Sequence, residues 1–173
     1  MSPQNKIIAI QTVLGVEKDG IWGPQSQGAL DALVRPSEVI HAGKASSFAD
    51  PKDVEIFKKY FAKFKAQGMS DEDAKAKAFR YGDNGIGCWG DDTTGASPCC
   101  ALTKEDIIRR WGSLAAGKHK LVQVAANDRE VTCVLKDIKG HMNEAIIDLN
   151  PGACAALGLK PPIMASCTWK WIS

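Results

Sequence analysis

The sequence has little of what marks a nucleic-acid-binding or membrane-spanning protein. Its 22 lysines and arginines stand against 20 acidic residues, and the resulting net charge of +2 is too small to indicate binding to nucleic acid. No window approaches the roughly 18 consecutive apolar residues of a membrane-spanning helix. We therefore expect no nucleic-acid partner and no membrane span.

The amino terminus lacks the features of a secretory signal peptide. The opening MSPQNKIIAIQ has no basic start, no long apolar middle and no small-residue cleavage site. We expect either that a signal peptide has been removed or that the protein reaches its target by another route.

Cysteine is absent before Cys88. An even number of cysteines is compatible with a disulfide framework, although a chain of 173 residues does not need one, and free core thiols are the alternative. The only close pair is adjacent and lacks the two-residue spacer of a zinc site, so we expect no metal and no cofactor. The six cysteines are Cys88, Cys99, Cys100, Cys133, Cys154 and Cys167.

The hydrophobic content of 45% allows a core and, at this length, one domain with a small appendage. Residues 1–34 predict short helices around the turn KDGIWGP, with Pro24 at a first helical position.

Residues 35–50 mix Pro, Gly, Ser and Ala without periodicity and predict a linker. An amphipathic helix follows from Pro51, and a capping pattern from Ser70 to Asp73 opens a second, alanine-rich helix. Residues 35–77 are thus predicted to be a linker and a helical hairpin.

From residue 78 onward the pattern is typical of β-structure. Alternating runs on either side of Asn127 and Asp128 predict a hairpin, AIIDL a further strand and IMASCTWKW a long final strand with Trp169 and Trp171 inside. Between them, TKEDIIRRWGS predicts a helix with Thr103 as its cap, and Asn150 is the predicted cap of another helix. About six short strands with brief helices between them indicate a small closed barrel.

The stretch IIAIQTVLGVEKDGIWGPQSQGALDAL resembles the peptidoglycan-binding domain 1 family, three-helix modules attached to cell-wall enzymes. The turn residues are physically consistent, since Asp19 and Gly20 suit a tight turn and Trp22 offers a flat apolar face. The resemblance implies peptidoglycan binding through Asp19 and Trp22; burial of Trp22 in a core is the alternative. The match covers about residues 5–34 and rests on Gln11, Leu14, Asp19 through Pro24, Ala29 and Leu30.

The stretch VTCVLKDIKGHMNEAIIDLNPGACAALGL resembles the end of the double-psi β-barrel shared by rare-lipoprotein-A lytic transglycosylases, expansins and barwins. AGKHKLVQV resembles the expansin strand before the hairpin, and YGDNG resembles the opening strand. The resemblance covers about residues 78–172. It implies an α+β protein with a small amino-terminal three-helix module and a carboxyl-terminal six-stranded double-psi β-barrel over residues 78–173.

Two aspartates, Asp137 and Asp148, each end a short apolar run and are predicted to lie at adjacent strand ends. They have the separation of the family's paired acidic positions. A lytic transglycosylase needs one carboxyl group of raised pKa, which protonates the leaving oxygen while the C6 hydroxyl of the sugar closes a ring. By resemblance, Asp137 is the predicted catalytic proton carrier and Asp148 its partner. The predicted substrate-binding residues of the barrel are Tyr81, Asp83, Trp89, Trp111, Lys139 and His141.

Several positions depart from these families. Phe79 stands where expansins carry a threonine, and Lys139 stands near the place of the transglycosylase arginine, which it replaces only in part. Expansin-like loosening of polysaccharide without cleavage is therefore the alternative to transglycosylase-like cleavage. A wall peptidase, with Cys88 as nucleophile and His119 or His141 as base, is a third hypothesis.

The expected partner is peptidoglycan or a related polysaccharide. By the same resemblance we expect a monomer that acts at the cell wall, in an extracellular or periplasmic location.

Overall fold

The computed structural model describes residues 1–33, 39–140 and 143–172. The chain forms two compact units, Met1–Val39 and Ile40–Ser173. The first unit contains two described helices, α1 (Pro3–Leu14) and α2 (Pro24–Leu33). The predicted third helix is not confirmed, because it would have to begin in residues 34–38, which lie outside the described residues.

The turn between α1 and α2 is organised by Gln11, which is only 1% exposed. Its amide nitrogen donates to Asp19 Oδ1 at 2.8 Å, and also to the Ile21 carbonyl and the Ser26 hydroxyl. Its amide oxygen accepts the Gly20 N–H at 3.0 Å. One buried side chain thus satisfies the polar groups of the whole turn, which explains why Gln11 and the Asp-Gly pair occur together in this pattern.

The second unit is a closed six-stranded barrel with the strand order β1-β5-β2-β4-β3-β6. The β1–β5 and β2–β4 pairs are parallel, and the other four pairs are antiparallel. The predicted closed barrel is confirmed, and its topology is consistent with a double-psi β-barrel. The strands are β1 (His41–Ser47), β2 (Cys99–Thr103), β3 (Leu121–Ala126), β4 (Arg129–Lys139), β5 (Ile147–Leu149) and β6 (Met164–Trp171).

The prediction of a linker over residues 35–50 is wrong for β1. His41 pairs with Trp169 and Ser46 with Met164 on β6, while Ser46 also pairs with Asp148 on β5. The sequence HAGKASS has no β-branched or large apolar residue, so its strand conformation comes from pairing on both edges and not from intrinsic propensity. This strand closes the barrel, so the barrel extends well before residue 78.

The stretch YGDNG, predicted as the opening strand, is instead a turn and loop. Asp83 Oδ1 accepts the Gly85 N–H at 2.7 Å, and Asn84 Oδ1 accepts the Ile86 N–H at 2.9 Å. Such local side-chain bonds compete with strand pairing and favour turns.

The barrel core and the hairpin agree with the sequence pattern. Trp169 and Trp171 are 1% and 3% exposed and pack edge to face with ring centroids 5.6 Å apart. Asn127 and Asp128 have φ of 53° and 57°, the positive values that a two-residue hairpin turn requires. Both predictions are confirmed.

Five helices surround the barrel strands. The predicted caps are confirmed, since the side chains of Ser70, Thr103 and Asn150 each accept a backbone N–H from the first turn of their helix. None of the described helices is long and apolar enough to cross a membrane. The helices are α3 (Pro51–Ala66), α4 (Asp71–Ala78), α5 (Lys104–Trp111), α6 (Leu114–Gly117) and α7 (Pro151–Ala156).

All six cysteines lie within the described residues and are free thiols, five of them buried. Cys100, Cys133, Cys154 and Cys167 belong to the barrel core. The alternative of free core thiols is therefore the one observed, and the fold contains no disulfide framework among the residues described. Hydrophobic burial replaces cross-links as the main stabilising term.

The placement of β1 leads to a truncation test. Deleting residues 1–39 leaves all six strands in the chain, so we expect the remaining protein to unfold cooperatively on heating. Deleting residues 1–47 removes the strand that pairs with both β5 and β6, so we expect loss of cooperative unfolding and of the near-ultraviolet circular dichroism of the core tryptophans. A folded product of the longer deletion would contradict the assignment of β1 to the barrel.

Candidate functional site

A β-bulge in β4 decides the direction of Asp137. Cys100 pairs with Leu135, but the next residue of β2, Ala101, pairs with Asp137, so Lys136 is an extra residue in β4. Side chains alternate along a strand, and an inserted residue reverses the alternation beyond it. Leu135 faces the barrel core, whereas Asp137 faces outward on the same side as Ala101. In a regular strand Asp137 would face the core.

The bulge places Asp137 in one row with Asp148. Ala101 pairs with Asp137 on one side and with Asp148 on the other, and Asp148 pairs with Ser46. Because neighbouring strands lie about 4.8 Å apart, the backbones of the two aspartates are about 10 Å apart with only the Ala101 methyl group between them. The prediction that the aspartates lie at strand ends is wrong, since β4 continues to Lys139 and Asp148 is the middle residue of β5.

The row forms the floor of a groove of about 670 Å³ on the outside of the barrel. Asp83, from the loop after α4, joins the two aspartates on this floor. Apolar side chains line the groove beside the carboxylates, and two cations, Lys75 and Arg80, line it from α4 and the turn that follows. The apolar lining residues are Phe48, Phe79, Ile86 and Ile138.

Asp137 is held by the backbone of a glycine-containing loop. Its Oδ1 accepts the N–H of Cys88 and the N–H of Ile138, each at 2.8 Å. A Cβ on Gly87 would lie 2.1 Å from the carbonyl oxygen of Lys136, so only glycine allows the loop to approach the bulge this closely. Burial raises the pKa of Asp137, and the two backbone donors lower it in part.

Asp148 lies in a network of side-chain hydrogen bonds. The Ser46 hydroxyl donates to Asp148 Oδ1, and Lys139 Nζ lies 3.7 Å from the same oxygen. Lys139 also donates to Asn143 Oδ1 at 2.9 Å, and Asn143 Nδ2 donates to Ser46 at 3.2 Å. Burial raises the pKa of Asp148, Ser46 and Lys139 lower it, and the charge of Asp137 raises it further.

The third carboxylate, Asp83, is coupled to the other two. Burial raises the pKa of Asp83, the Gly85 N–H bond lowers it, and the charges of Asp137 and Asp148 raise it again. Like charges that share a poorly solvated site cannot all ionise easily, so the group holds protons to higher pH than isolated aspartates do. The floor can therefore act as a proton donor or acceptor nearer to neutrality.

Lys139 lines the groove as predicted, but its side chain is only 2% exposed. Its amino group is satisfied by Asn143, the Gly140 carbonyl and Asp148. Lys139 therefore positions Asp148 and does not present its charge to a ligand. His141, also predicted for this site, lies outside the described residues.

Three predicted aromatic residues do not line the groove. Tyr81 stacks on Tyr60 with ring centroids 3.8 Å apart. Trp89 packs against the barrel core, and Trp111 contacts Trp171 edge to face at 5.6 Å. The prediction that they bind substrate depends on residue type alone, and residue type does not show which way a side chain points.

The aromatic residues at the groove, Phe48 and Phe79, were missed by the sequence analysis. Phe48 immediately follows β1, which was predicted to be a linker, and Phe79 was noted only as a departure from the expansin pattern. Ser46 was missed for the same reason as Phe48. The usable signal for Phe79 was its position directly after a capped helix, four residues from Lys75.

The hypothesis of a Cys88 nucleophile is not supported. Partial burial, followed by the charge and hydrogen bond of Asp137, raises the pKa of Cys88 to about 12, so the thiol is protonated at neutral pH. His119 Nε2 lies 2.8 Å from Asp91 Oδ2, and no described contact joins it to Cys88. A nucleophilic thiol needs the opposite arrangement, a depressed pKa with a base in contact.

The predicted ligands of the amino-terminal unit differ in their availability. Asp19 Oδ1 accepts the Ile21 N–H at 2.9 Å as well as the Gln11 amide, so its carboxylate stabilises the turn. Trp22 is 37% exposed, and its indole N–H donates to Gln27 at 2.9 Å. Trp22 is thus not a fully buried core residue.

Over residues 1–33, 39–140 and 143–172, no group of three or more His, Cys, Asp or Glu side chains is arranged to hold a metal ion.

No protein-family model matches the chain, and no curated protein matches it by sequence. Several solved structures are similar to this chain. One is a Streptomyces papain inhibitor, at 17% sequence identity and a TM-score of 0.47, and the alignment covers 80% of this chain and 98% of the inhibitor. A mutant Clavibacter michiganensis expansin in complex with cellohexaose aligns at 14% identity and 0.47, and the apo expansin at 13% and 0.48. Each expansin alignment covers 78% of this chain and 51% of the expansin, so the chain spans about half of its length.

The buried state of Asp137 gives a stability prediction. Because the folded protein binds this proton more tightly than the unfolded chain does, its stability falls as pH rises from the ordinary value of 3.8 through the raised pKa of Asp137. Asp137→Asn keeps an oxygen acceptor for both backbone N–H groups and removes the buried charge. We expect it to raise the free energy of unfolding relative to wild type at pH 7 and to have a smaller effect at pH 4.

Urea unfolding at both pH values measures the difference, with Asp128→Asn in the exposed β3–β4 turn as the matched control. Equal effects of Asp137→Asn at the two pH values would mean that the carboxylate is well solvated in the folded protein.

Proposed function

We propose that the protein binds peptidoglycan in the groove and cleaves its glycan strands in the manner of a lytic transglycosylase, with Asp137 as proton carrier. The observation that carries this proposal is the set of three carboxylates of raised pKa on the floor of an open groove with aromatic rings at its side. A carboxyl group poised between its two protonation states is what cleavage of a glycosidic bond requires.

The shape and chemistry of the groove suit a polysaccharide. Sugar rings present apolar faces and hydroxyl edges, and this groove offers Phe79, 44% exposed, next to carboxylate oxygens that accept hydroxyl hydrogens. The volume of about 670 Å³ is within the range of ligand-binding clefts and can hold part of a sugar chain. The glycan is expected to lie with ring faces against Phe79 and with a glycosidic oxygen above Asp137.

The proposed reaction needs one carboxyl group in two states. Protonated Asp137 donates its proton to the glycosidic oxygen as the bond from that oxygen to C1 breaks. The C6 hydroxyl of the same sugar then bonds to C1, and its proton passes to the Asp137 carboxylate. The products are a free hydroxyl end and a 1,6-anhydro end, and the carboxyl group is restored to its starting state.

The surroundings of the two aspartates support this division of roles. Asp148 has a cation, Lys139, and a hydroxyl donor, Ser46, both of which favour its ionised form. Among the described residues no cation lies against Asp137, and burial is the main influence on its pKa. Asp148 is therefore the better candidate for a permanent negative charge, and Asp137 for the group that gains and loses a proton.

Two observations favour a second candidate, polysaccharide binding without cleavage. The two backbone donors on Asp137 Oδ1 favour its carboxylate form and oppose the burial that raises its pKa. Lys139 is also turned away from the ligand space, which leaves no described cation on the floor to steady developing charge. In this case the groove would loosen its polymer as expansins do. For either activity we propose that the protein acts at the cell wall, outside the cytoplasmic membrane, and that it is a monomer.

Fragment release tests the proposed cleavage. Purified peptidoglycan incubated with the protein is expected to release soluble fragments with 1,6-anhydro ends, detected by mass spectrometry. Asp137→Asn should reduce the release rate by about 100-fold or more, because an amide can neither donate nor accept that proton.

Asp128→Asn, which removes the same charge far from the groove, should leave the rate unchanged. Binding of peptidoglycan by wild type without any fragments would favour the second candidate. Full activity of a folded Asp137→Asn variant would exclude Asp137 as proton carrier, and cut stem peptides would indicate a peptidase.

The amino-terminal unit is proposed to add affinity for insoluble peptidoglycan. Its division from the barrel unit after Val39 and the partial exposure of Trp22 support this role. Deleting residues 1–34 should weaken sedimentation with peptidoglycan, and Trp22→Ala should weaken it in part. Val13→Ala, at a residue that is 76% exposed on α1, is the control. Unchanged sedimentation after the deletion would assign the affinity to the barrel unit.

A further inference from the structure

The side of the groove formed by α4 and the turn after it is cationic. Lys75 on α4 and Arg80 after it both line the groove, and Phe79 lies between them in sequence. The Lys75 amino group lies 5.8 Å from the centre of the Phe79 ring, so the cation and the ring form one surface. We call these three residues the α4 wall.

Within the described residues neither Lys75 nor Arg80 forms an ion pair, whereas Lys44, Lys65 and Lys139 each contact a carboxylate. Both residues are exposed. Two cations that line a groove and have no carboxylate partner are available to a ligand anion.

The distribution of charge within the groove restricts the ligand. The floor carries Asp148, the better candidate for a permanent negative charge, and disfavours anions, while the α4 wall attracts them. A neutral glycan would make no use of the wall cations. A glycan with carboxylate substituents would be oriented, because each substituent is favoured at the wall and disfavoured at the floor.

We propose that Lys75 and Arg80 bind carboxylate groups carried by the glycan, so that the groove selects an anionic polysaccharide and sets its orientation over Asp137. This inference rests on the proposed function and names the feature of the substrate that is recognised. Arginine binds a carboxylate through two parallel N–H bonds, and lysine adds a point charge beside the ring of Phe79. The carboxylates belong either to stem peptides or to the sugar rings themselves.

The test uses the full chain and a local signal of groove occupancy. The backbone amides of Cys88 and Ile138 donate to Asp137, so their NMR shifts report a ligand on the floor. The probes are soluble peptidoglycan strands with stem peptides, the same strands with their carboxylates amidated, oligogalacturonate and neutral chitohexaose.

We expect the peptidoglycan strands to bind about tenfold more tightly than their amidated form. The double variant Lys75→Gln/Arg80→Gln should remove this difference, since about one factor of ten is what two exposed charge contacts provide. The control Lys58→Gln/Lys59→Gln, with the same charge loss on α3, should retain it. Oligogalacturonate binding as tightly as the peptidoglycan strands would support carboxylate recognition and place the carboxylate on the sugar ring.

Equal binding of charged and amidated strands, or an unaffected Lys75→Gln/Arg80→Gln variant, would overturn the inference while the proposed function stands. Failure of every glycan to shift the two amides would overturn both. Altered far-ultraviolet circular dichroism would reveal a misfolded double variant. In that case Lys75→Glu alone, at an exposed helix position, provides the second test. It is expected to lose more affinity for the charged strands than Lys75→Gln alone, because it places a negative charge on the wall.

Discussion

The extra residue in β4, Lys136, is the constraint on which the groove depends. It turns Asp137 from the barrel core to the outer face and brings it into one row with Ala101 and Asp148. The same bulge exposes the Lys136 carbonyl to Gly87, where no Cβ fits, and the following Cys88 amide reaches Asp137. One inserted residue therefore sets both the direction of the carboxyl group and the loop that binds it.

The carboxylates of the floor are balanced between opposing influences. Burial raises the pKa of all three carboxyl groups, and hydrogen-bond donors lower each pKa in part. The donors differ: they are backbone amides at Asp137, a hydroxyl and an ammonium group at Asp148, and a loop amide at Asp83. Such differences separate the protonation behaviour of chemically identical groups. Ser46 and Lys139, both buried, contact Asp148, and Asn143 links the two to each other.

Periodic patterns in the sequence predicted the hairpin at Asn127 and Asp128, the cap at Asn150 and the inward face of β6, because each depends on local chemistry. The resemblance to the double-psi barrel families implies Asp137 and Asp148 as a pair, but their alignment through Ala101 depends on the bulge, which a strand pattern does not reveal. β1 was missed because HAGKASS has no strand propensity of its own and is held by its neighbours. Ser46 and Phe48 were missed with it.

The central claim is that the bulge holds Asp137 in a poorly solvated groove where its proton is retained above the ordinary pKa. Titration of the aspartate carboxyl carbons by NMR measures this directly in the intact protein. The account predicts a midpoint for Asp137 above 3.8, with Asp83 and Asp148 also shifted upward. A midpoint at or below 3.8 would mean that the backbone donors dominate, and Asp137 would then be a fixed anion unable to carry the proton.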